Sequence, residues 1–283
     1  MRLLERAREV LREAYGDRHP HYAAILQNLG TTHFVHGQYT DALATYQESH
    51  RLLKLALSPE HPSVAVLAYN VATSLLFMER YDEALLQVRR AQAIEHAVHG
   101  PRSGSAATSW ALVGEIHLRA GRFSQAEEAL RTTLSILDEV MPNERRRRAN
   151  NASQLGLVLL RLDRVDEARR ELEATLTVQR ETAGEPSVEV AETQGRLALV
   201  YLEQNELSLA QQAIDDSVEQ YESHDPDPHQ HAEARFRRAR ILAAGGEVDS
   251  ARAEAERALA IYAERADQPT RLLAVKTWLD QQP

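Results

Sequence analysis

The chain has 283 residues, of which 43% are hydrophobic, 27% charged and 5% aromatic, and its formal net charge is -9. Many alanines and leucines with few aromatic residues favour packed helices over a β-sandwich, and the negative charge disfavours nucleic acid because it repels phosphate backbones. Since the sequence has no cysteine, no signal peptide and no uncharged apolar run of about 18 residues, we expect a cytoplasmic protein that uses neither disulfides nor a membrane.

The first predicted element is a helix over 1–17. Its apolar residues match the second helix of the repeats that follow, with Ala7 equivalent to Ser49 and Leu4 equivalent to Tyr46. The first helix of this opening repeat has no counterpart in the sequence. We therefore predict an N-terminal half-repeat, and we expect the sequence to be a piece of a longer protein.

Three columns of small side chains then recur six times, in steps of 42 residues and a last step of 41. The first column is Gly30, Ala72, Gly114, Gly156, Ala198 and Ala239. The second is Ala42, Ala84, Ala126, Ala168, Ala210 and Ala251. The third is Ser49, Ala91, Thr133, Thr175, Ser217 and Ala258. Because a small residue at a helix crossing lets two backbones approach, the columns predict repeated pairs of helices.

The predicted repeats occupy 20–58, 62–99, 103–141, 145–183, 187–224 and 229–265, and a capping helix is predicted over 268–281. No pair of helices can bury its apolar stripe alone, so stacked neighbours must form the core. The sequence therefore predicts a single all-α domain over 1–283, built from about six helical hairpins, the half-repeat and the capping helix.

These columns resemble the tetratricopeptide repeat, whose usual period is about 34 residues. The longer period, with His-Pro turns at 19–20 and 61–62, is similar to the repeats of kinesin light chain and of bacterial regulatory proteins, although later turns keep only the proline. Residues 232–279 resemble the C-terminal repeats of bacterial Ser/Thr protein kinases, without any catalytic kinase motif. The resemblance implies an α-solenoid, a superhelix whose concave groove is lined by the first helix of each hairpin and binds a protein or peptide.

Carried onto this sequence, the groove positions lie two residues before and one, four and five after the first-column residue, with neighbours added. The predicted ligand-binding residues are Gln27, Asn28, Thr31, Tyr69, Asn70, Thr73, Arg119, Gln154, Arg161, Arg196, Arg237 and Arg240. The equivalent Asn28 and Asn70 suit an extended peptide, because an amide offers both a donor and an acceptor. The alternative is that they are exposed polar residues without a role.

Two interpretations of the groove arginines stay open. Guanidinium groups suit carboxylates and phosphates, so one interpretation is an extended acidic or phosphorylated segment bound at the C-terminal half. The other is internal pairing with glutamates of the same helices, since ion pairs are common on such surfaces. The candidate glutamates are Glu115, Glu192, Glu203 and Glu233.

Two other signals are interpreted as linkers. The run Arg145–Arg148 precedes or opens the first helix of the fourth repeat and is predicted to be a solvated linker, with an anion or partner contact as the alternative. The segment 224–231 offers His224, Asp225, Asp227, His229 and His231, but two prolines and irregular spacing favour a linker over a metal site.

The sequence has no phosphate-binding loop and no nucleophile motif, so we predict neither a cofactor nor an enzyme, and any catalytic activity would reside in a missing domain. We predict a binding scaffold, as a regulatory or partner-recruiting region of a larger bacterial signalling protein. The alternative is a sensor domain of a kinase or signalling NTPase that recognises a small ligand, which predicts a dry apolar groove.

Overall fold

A computed structural model of the chain describes residues 2–16, 19–184, 186–223, 228–264 and 269–282. These residues form fourteen α-helices and no β-strand, in two units, 1–140 and 141–283. Unit 1 contains α1 (Arg2–Tyr15), α2 (Pro20–Val35), α3 (Tyr39–Ala56), α4 (Pro62–Phe77), α5 (Tyr81–His99), α6 (Gly104–Arg119) and α7 (Phe123–Val140). Unit 2 contains α8 (Arg145–Arg161), α9 (Val165–Ala183), α10 (Val188–Glu203), α11 (Leu207–Ser223), α12 (Pro228–Ala244), α13 (Val248–Glu264) and α14 (Pro269–Asp280).

Consecutive helices pair as hairpins: α2 with α3, α4 with α5 and α6 with α7 in unit 1, and α8 with α9, α10 with α11 and α12 with α13 in unit 2. The helix α1 packs against α2, and α14 packs against α13. The predicted all-α fold of six helical hairpins, with a further helix before the first and after the last, is confirmed over the described residues. The assignment of the whole chain to one domain stays a prediction.

The small columns lie where the two helices of each hairpin cross, and every member of all three columns is buried. A Cβ atom added at Gly30 would lie 2.7 Å from the Tyr46 ring, and one at Gly114 would lie 2.8 Å from Leu130 Cγ. Interiors are close-packed, so there is no room for a larger side chain. In the third column, Ser49 Oγ donates to the Ala23 carbonyl at 2.6 Å, which joins α3 to α2.

The turn inside each hairpin contains one residue with a left-handed backbone conformation, and these residues are again 42 or 41 positions apart. They are Gly37, Glu79, Gly121, Asp163, Asn205 and Gly246, with φ between 58° and 85°. Glycine adopts this conformation without steric cost, and Asn and Asp tolerate it better than other residues. Glu79 is therefore the least suited member.

The His-Pro turns are helix caps. The Nδ1 atoms of His19 and His61 each accept a hydrogen bond, at 3.2 Å, from the backbone N–H two residues later, at the start of α2 and of α4. Ser103 and Ser187 cap α6 and α10 through their hydroxyl groups. The histidine is thus exchanged for another capping side chain in these later repeats, which is why the helices persist without it.

Candidate functional site

The first helices of neighbouring hairpins lie side by side in unit 1. The Phe34 and Phe77 rings, from α2 and α4, meet edge to face with centroids 5.2 Å apart. Arg119 of α6 places its Cζ atom 4.6 Å from the centre of the Phe77 ring. These three half-buried side chains show that α2, α4 and α6 present one surface, which we call the unit 1 face.

The predicted asparagines lie on the unit 1 face. Asn28 is exposed and Asn70 is half-buried, and within the described part of the chain neither side-chain amide is hydrogen-bonded. Their backbone carbonyls accept hydrogen bonds from Thr32 at 3.0 Å and from Ser74 at 3.1 Å. Both side chains therefore keep a free donor and a free acceptor, as contact with a peptide backbone would need.

Three other predicted residues of unit 1 are already engaged. The hydroxyls of Thr31 and Thr73 donate to carbonyls of their own helices, those of Gln27 at 3.1 Å and Tyr69 at 3.0 Å. The half-buried Tyr69 also packs against the buried Ala65, Ala68 and Ala91. The hydroxyls of Thr31 and Thr73 and the ring of Tyr69 are therefore used in contacts within unit 1.

Arg119 has an internal partner. Its Nη2 atom lies 2.8 Å from Glu115 Oε1, one helical turn earlier on α6, and its guanidinium covers one side of Phe77. The charge of Arg119 is therefore largely neutralised, and the internal-pairing interpretation describes this residue.

In unit 2 the first helices and the last helix share a chain of ion pairs, which we call the ion ladder: Arg196, Glu192, Arg237, Glu233 and Arg271. Arg196 Nη2 lies 2.9 Å and Arg237 Nη2 lies 3.5 Å from the same Glu192 oxygen. Arg237 Nε lies 3.3 Å from Glu233, and Arg271 Nη1 lies 3.1 Å from the other oxygen of Glu233. Two of the predicted ligand-binding arginines, at 196 and 237, are thus paired within the protein.

Two tyrosines complete the ion ladder. Tyr221 donates its hydroxyl hydrogen to Glu192 at 2.8 Å, and Tyr262 donates to Glu233 at 3.3 Å. Burial alone would raise the pKa of both glutamates, but the adjacent guanidinium groups hold each pKa below its usual value. Burial and then the carboxylate raise the pKa of both tyrosines. The tyrosine hydroxyls therefore stay protonated as donors.

Small residues make room for the ladder arginines. A Cβ atom at Gly195 would lie 2.9 Å from Arg237 Nη1, so a larger residue at this position would require the guanidinium to shift. Arg196 Nη1 donates to Ser153 Oγ on α8 at 2.7 Å, and that oxygen lies 2.6 Å from the Thr193 hydroxyl. The surface that α8, α10 and α12 share through these contacts is the unit 2 face.

Arg161 and Arg240 differ from the ladder arginines. Arg161 is exposed and Arg240 is half-buried, and neither forms an ion pair or a hydrogen bond with any residue that the structure describes. Surrounding protein atoms and then the charge of Arg240 lower the pKa of Arg161, with smaller effects from Glu233, Arg237 and Glu203. Arginine keeps its proton at neutral pH in such surroundings, so the unit 2 face carries two cations without an ion-pair partner among the described residues.

Gln154 lies on α8 at the position equivalent to Asn28 and Asn70. It is half-buried, and its side-chain oxygen is buried without a hydrogen-bond partner among the described residues. Gln154 therefore provides the unit 2 face with an unused acceptor beneath its surface.

The arginine run is the start of a helix, so its interpretation as a linker was wrong. Arg145 opens α8 and lies 2.7 Å from Glu181, and Arg146 pairs with Glu189. The helix dipole disfavours cations at this end, but the glutamates of neighbouring helices offset that cost. Arg148 has a partner as well.

The histidine-rich segment is also partly helical. His224, Asp225 and Asp227 lie outside the described residues, but His229 and His231 belong to α12, which contradicts a linker at these two positions. Across the described ranges, no three His, Cys, Asp or Glu side chains come close enough to hold a metal ion.

His231 accepts a hydrogen bond at 3.0 Å from Arg235, which also pairs with Glu222 at 2.7 Å and with Glu254 at 2.8 Å. Burial and then the Arg235 charge lower the pKa of His231, while Glu222 and Glu254 act in the opposite direction. The imidazole is therefore neutral at pH 7 and serves as an acceptor.

Sequence reasoning missed Tyr221, Tyr262 and Arg271. The two tyrosines are 41 residues apart, like the Glu192–Glu233 and Arg196–Arg237 pairs, and this shared spacing was the signal available. Arg271 had no such signal because its equivalent in the preceding repeat is Gln230. Separately, every helix in the described ranges is too short or too polar to cross a lipid bilayer.

Solved structures with the same fold include a putative kinesin light chain with nearly identical TPR-like repeats from Podospora anserina, with a TM-score of 0.59, 19% identity, and coverage of 74% of this chain and 99% of that one. The Rap conjugation gene regulator of plasmid pLS20, in complex with the Phr* peptide, has a TM-score of 0.71 at 16% identity. The match covers 93% of this chain and 72% of that one. NprR in complex with its cognate peptide NprX has a TM-score of 0.62 at 16% identity. The match covers 84% of this chain and 65% of that one.

At these identities the likeness concerns the fold. No curated protein sequence matches the chain significantly. The tetratricopeptide repeat family matches residues 2–54, 32–94, 63–139 and 147–223, and a second form of the same repeat matches 195–268. Because these matches span most of the sequence, the chain belongs to the tetratricopeptide repeat family.

Proposed function

We propose that this chain is a protein- or peptide-binding scaffold that takes an extended, acidic segment on the unit 2 face, as a regulatory or partner-recruiting region of a larger bacterial signalling protein. The observation that carries the proposal is the pair Arg161 and Arg240. Both are cations without an internal partner in the described structure, on a face where other arginines are neutralised.

The unit 1 face supports the proposal in a different way. Its free Asn28 and Asn70 amides offer neutral hydrogen bonds to a peptide backbone, and the rings of Phe34 and Phe77 offer apolar contact beside them. Backbone contacts of this kind supply affinity with little sequence preference. Two proteins of the same fold, the Rap regulator and NprR, are seen in complex with peptides.

The alternative, a sensor for a small ligand, receives less support. Such ligands usually bind in enclosed, mostly apolar pockets. A cavity of about 460 Å³ in unit 2 is lined mainly by polar side chains. They are Arg180, Gln194, Asp216, Glu219, Gln220 and Ser223, with one proline. This lining suits solvent better than a dry ligand.

The proposal is tested with two fluorescent peptide pools of equal length, one rich in Asp and Glu and the other with Asn and Gln in their place. Fluorescence anisotropy with the full chain should show preference for the acidic pool. Arg161→Ser with Arg240→Ser should weaken that binding about tenfold or more, as expected for losing charge-assisted hydrogen bonds. The matched control is Arg170→Ser, an exposed arginine of α9 outside the unit 2 face, which should bind like the wild type.

Equal binding of both pools, or unchanged affinity in the double variant, would contradict the proposed function. Circular dichroism of each variant checks that the helices persist. The two substituted side chains are not part of the core, so the fold is expected to tolerate both changes.

A further inference from the structure

The first helices of the first two hairpins carry no Asp, Glu, Lys or Arg. None of these residues occurs in the 16 positions of α2 or the 16 positions of α4, although they make up 27% of the chain. On α6 the only two are Glu115 and Arg119, which pair with each other at 2.8 Å. The unit 1 face is therefore formally neutral, with one internal ion pair.

Two valines of this face are exposed. Val35 of α2 is 75% exposed and Val66 of α4 is 47% exposed. Val35 follows Asn28 by seven residues and Val66 precedes Asn70 by four, so each valine lies on the same side of its helix as the free amide.

The packing of the hairpins does not require an apolar residue at either valine position. The equivalent residues of later hairpins include Arg119, Arg161 and Glu203 in the case of Val35, and Asn150, Glu192 and Glu233 in the case of Val66. Because the fold accepts charged and polar side chains there, the two exposed valines point to a contact outside the hairpin.

Three aromatic rings form a cluster beside Val35, which we call the aromatic cluster: Phe34, Tyr39 and Phe77. Their centroids are 5.0 to 5.2 Å apart. Tyr39 is buried and ties the cluster to the core, while Phe34 and Phe77 stay half-buried. Rings held in this way are rigid, and partly exposed aromatic side chains often anchor an apolar residue of a partner.

The neutral surface disfavours a charged partner. A charged side chain placed on the unit 1 face would lose hydration without an opposite charge to compensate it. A large apolar side chain would instead bury Val35 and the exposed parts of the two phenylalanine rings, which is favourable. The amides of Asn28 and Asn70 remain available for the backbone of the partner.

We propose that the unit 1 face binds an extended, uncharged segment of a protein partner and holds a large aliphatic or aromatic side chain of that segment against Val35 and the aromatic cluster. This inference rests on the proposed function for the role of the chain as a peptide-binding scaffold, but it does not depend on the arginines of the unit 2 face. It gives the chain a second binding face of different chemistry.

The test uses three pools of nine-residue, end-blocked peptides built from uncharged residues, with Phe, Ser or Asp at the central position. Fluorescence anisotropy with the full chain should show the Phe pool binding about tenfold or more tightly than the Ser pool, as expected for burying one large apolar side chain. The Asp pool should bind most weakly. Raising NaCl from about 0.05 M to about 0.5 M should not weaken the Phe pool, because no ion pair forms with the peptide.

A double variant without a change of net charge tests the surface itself. Val35→Arg with Val66→Glu introduces residues that later hairpins carry at the equivalent positions, so the fold should accept both. The variant should lose most of the preference for Phe over Ser. The matched control is Leu55→Arg with Leu86→Glu, at exposed leucines of α3 and α5 outside the unit 1 face, and it should bind like the wild type.

Equal binding of the three pools, a Phe preference that survives in the double variant, or binding that salt weakens would each overturn the inference. Sedimentation velocity checks a different occupant: if the wild type self-associates and the double variant does not, the face is an interface between copies and the inference fails. If the acidic pool of the proposed function binds but Phe gives no preference over Ser, only this inference fails; if no peptide binds, both fail.

Discussion

Gly156 is the position where one added methyl group should report most directly on hairpin packing. A Cβ atom there would overlap the side chain of Leu172, which is fully buried, more severely than at Gly30 or Gly114. Overpacking a core costs roughly 1–3 kcal/mol, while alanine is favoured over glycine inside a helix by about 1 kcal/mol. We expect the overlap to dominate, so Gly156→Ala should lower the free energy of unfolding by about 2 kcal/mol.

A double-mutant cycle separates the two effects. Leu172→Ala alone should cost roughly 2–5 kcal/mol because it leaves a cavity. In that background the overlap is gone, so Gly156→Ala should stabilise the protein by about 1 kcal/mol through helix propensity. The coupling between the two positions is then about 3 kcal/mol, which is large for neighbours in contact.

Urea unfolding followed by circular dichroism measures each variant, with the midpoint as the main readout because repeat proteins do not always unfold in two states. Gly114→Ala is the matched comparison, and its smaller overlap with Leu130, at 2.8 Å, predicts a smaller loss. If Gly156→Ala has the same effect with and without the Leu172 side chain, this helix crossing does not restrict side-chain size at position 156.

Glu192→Gln should destabilise unit 2 by about 3 kcal/mol. This value is near the lower end for breaking a buried ion pair, because 22% of the Glu192 side chain is exposed. An unchanged urea midpoint would show that Arg196 and Arg237 find other partners. The folded-state pKa of His231 is lowered by burial and Arg235, so the unfolded chain binds the proton first and stability should decline as pH falls below about 6.5. His231→Gln should reduce that decline in melting curves between about pH 7 and about pH 5, and an identical decline would assign it to other groups. Glu79→Gly should raise the melting temperature slightly, since it relieves a left-handed conformation that costs about 1 kcal/mol, and a lower melting temperature would contradict this.

The repeat sequence contained most of the fold. The spacing of small residues predicted which side chains meet at each helix crossing, and the Cβ positions at Gly30 and Gly114 confirm this. Helix pairs arise from local patterns that recur at a fixed interval. The same contact between two helices is therefore predicted six times from one sequence. The ion pairs of the arginine run that opens α8 were not predicted, because the glutamates that offset its cationic first turn lie 36 and 43 residues away in the sequence.

The candidate site depended on contacts that the sequence leaves open. Arg161, Arg196 and Arg237 all lie on first helices, but only Arg196 and Arg237 have a glutamate four residues earlier. Only the packing of α10 against its neighbours decides that Glu192 is shared by Arg196 and Arg237, while Arg161 has no ion-pair partner among the described residues. The physical reason is range: helix periodicity acts over a few residues, whereas the charge that an arginine meets depends on side chains about 40 residues distant in the chain and a few ångströms away in space.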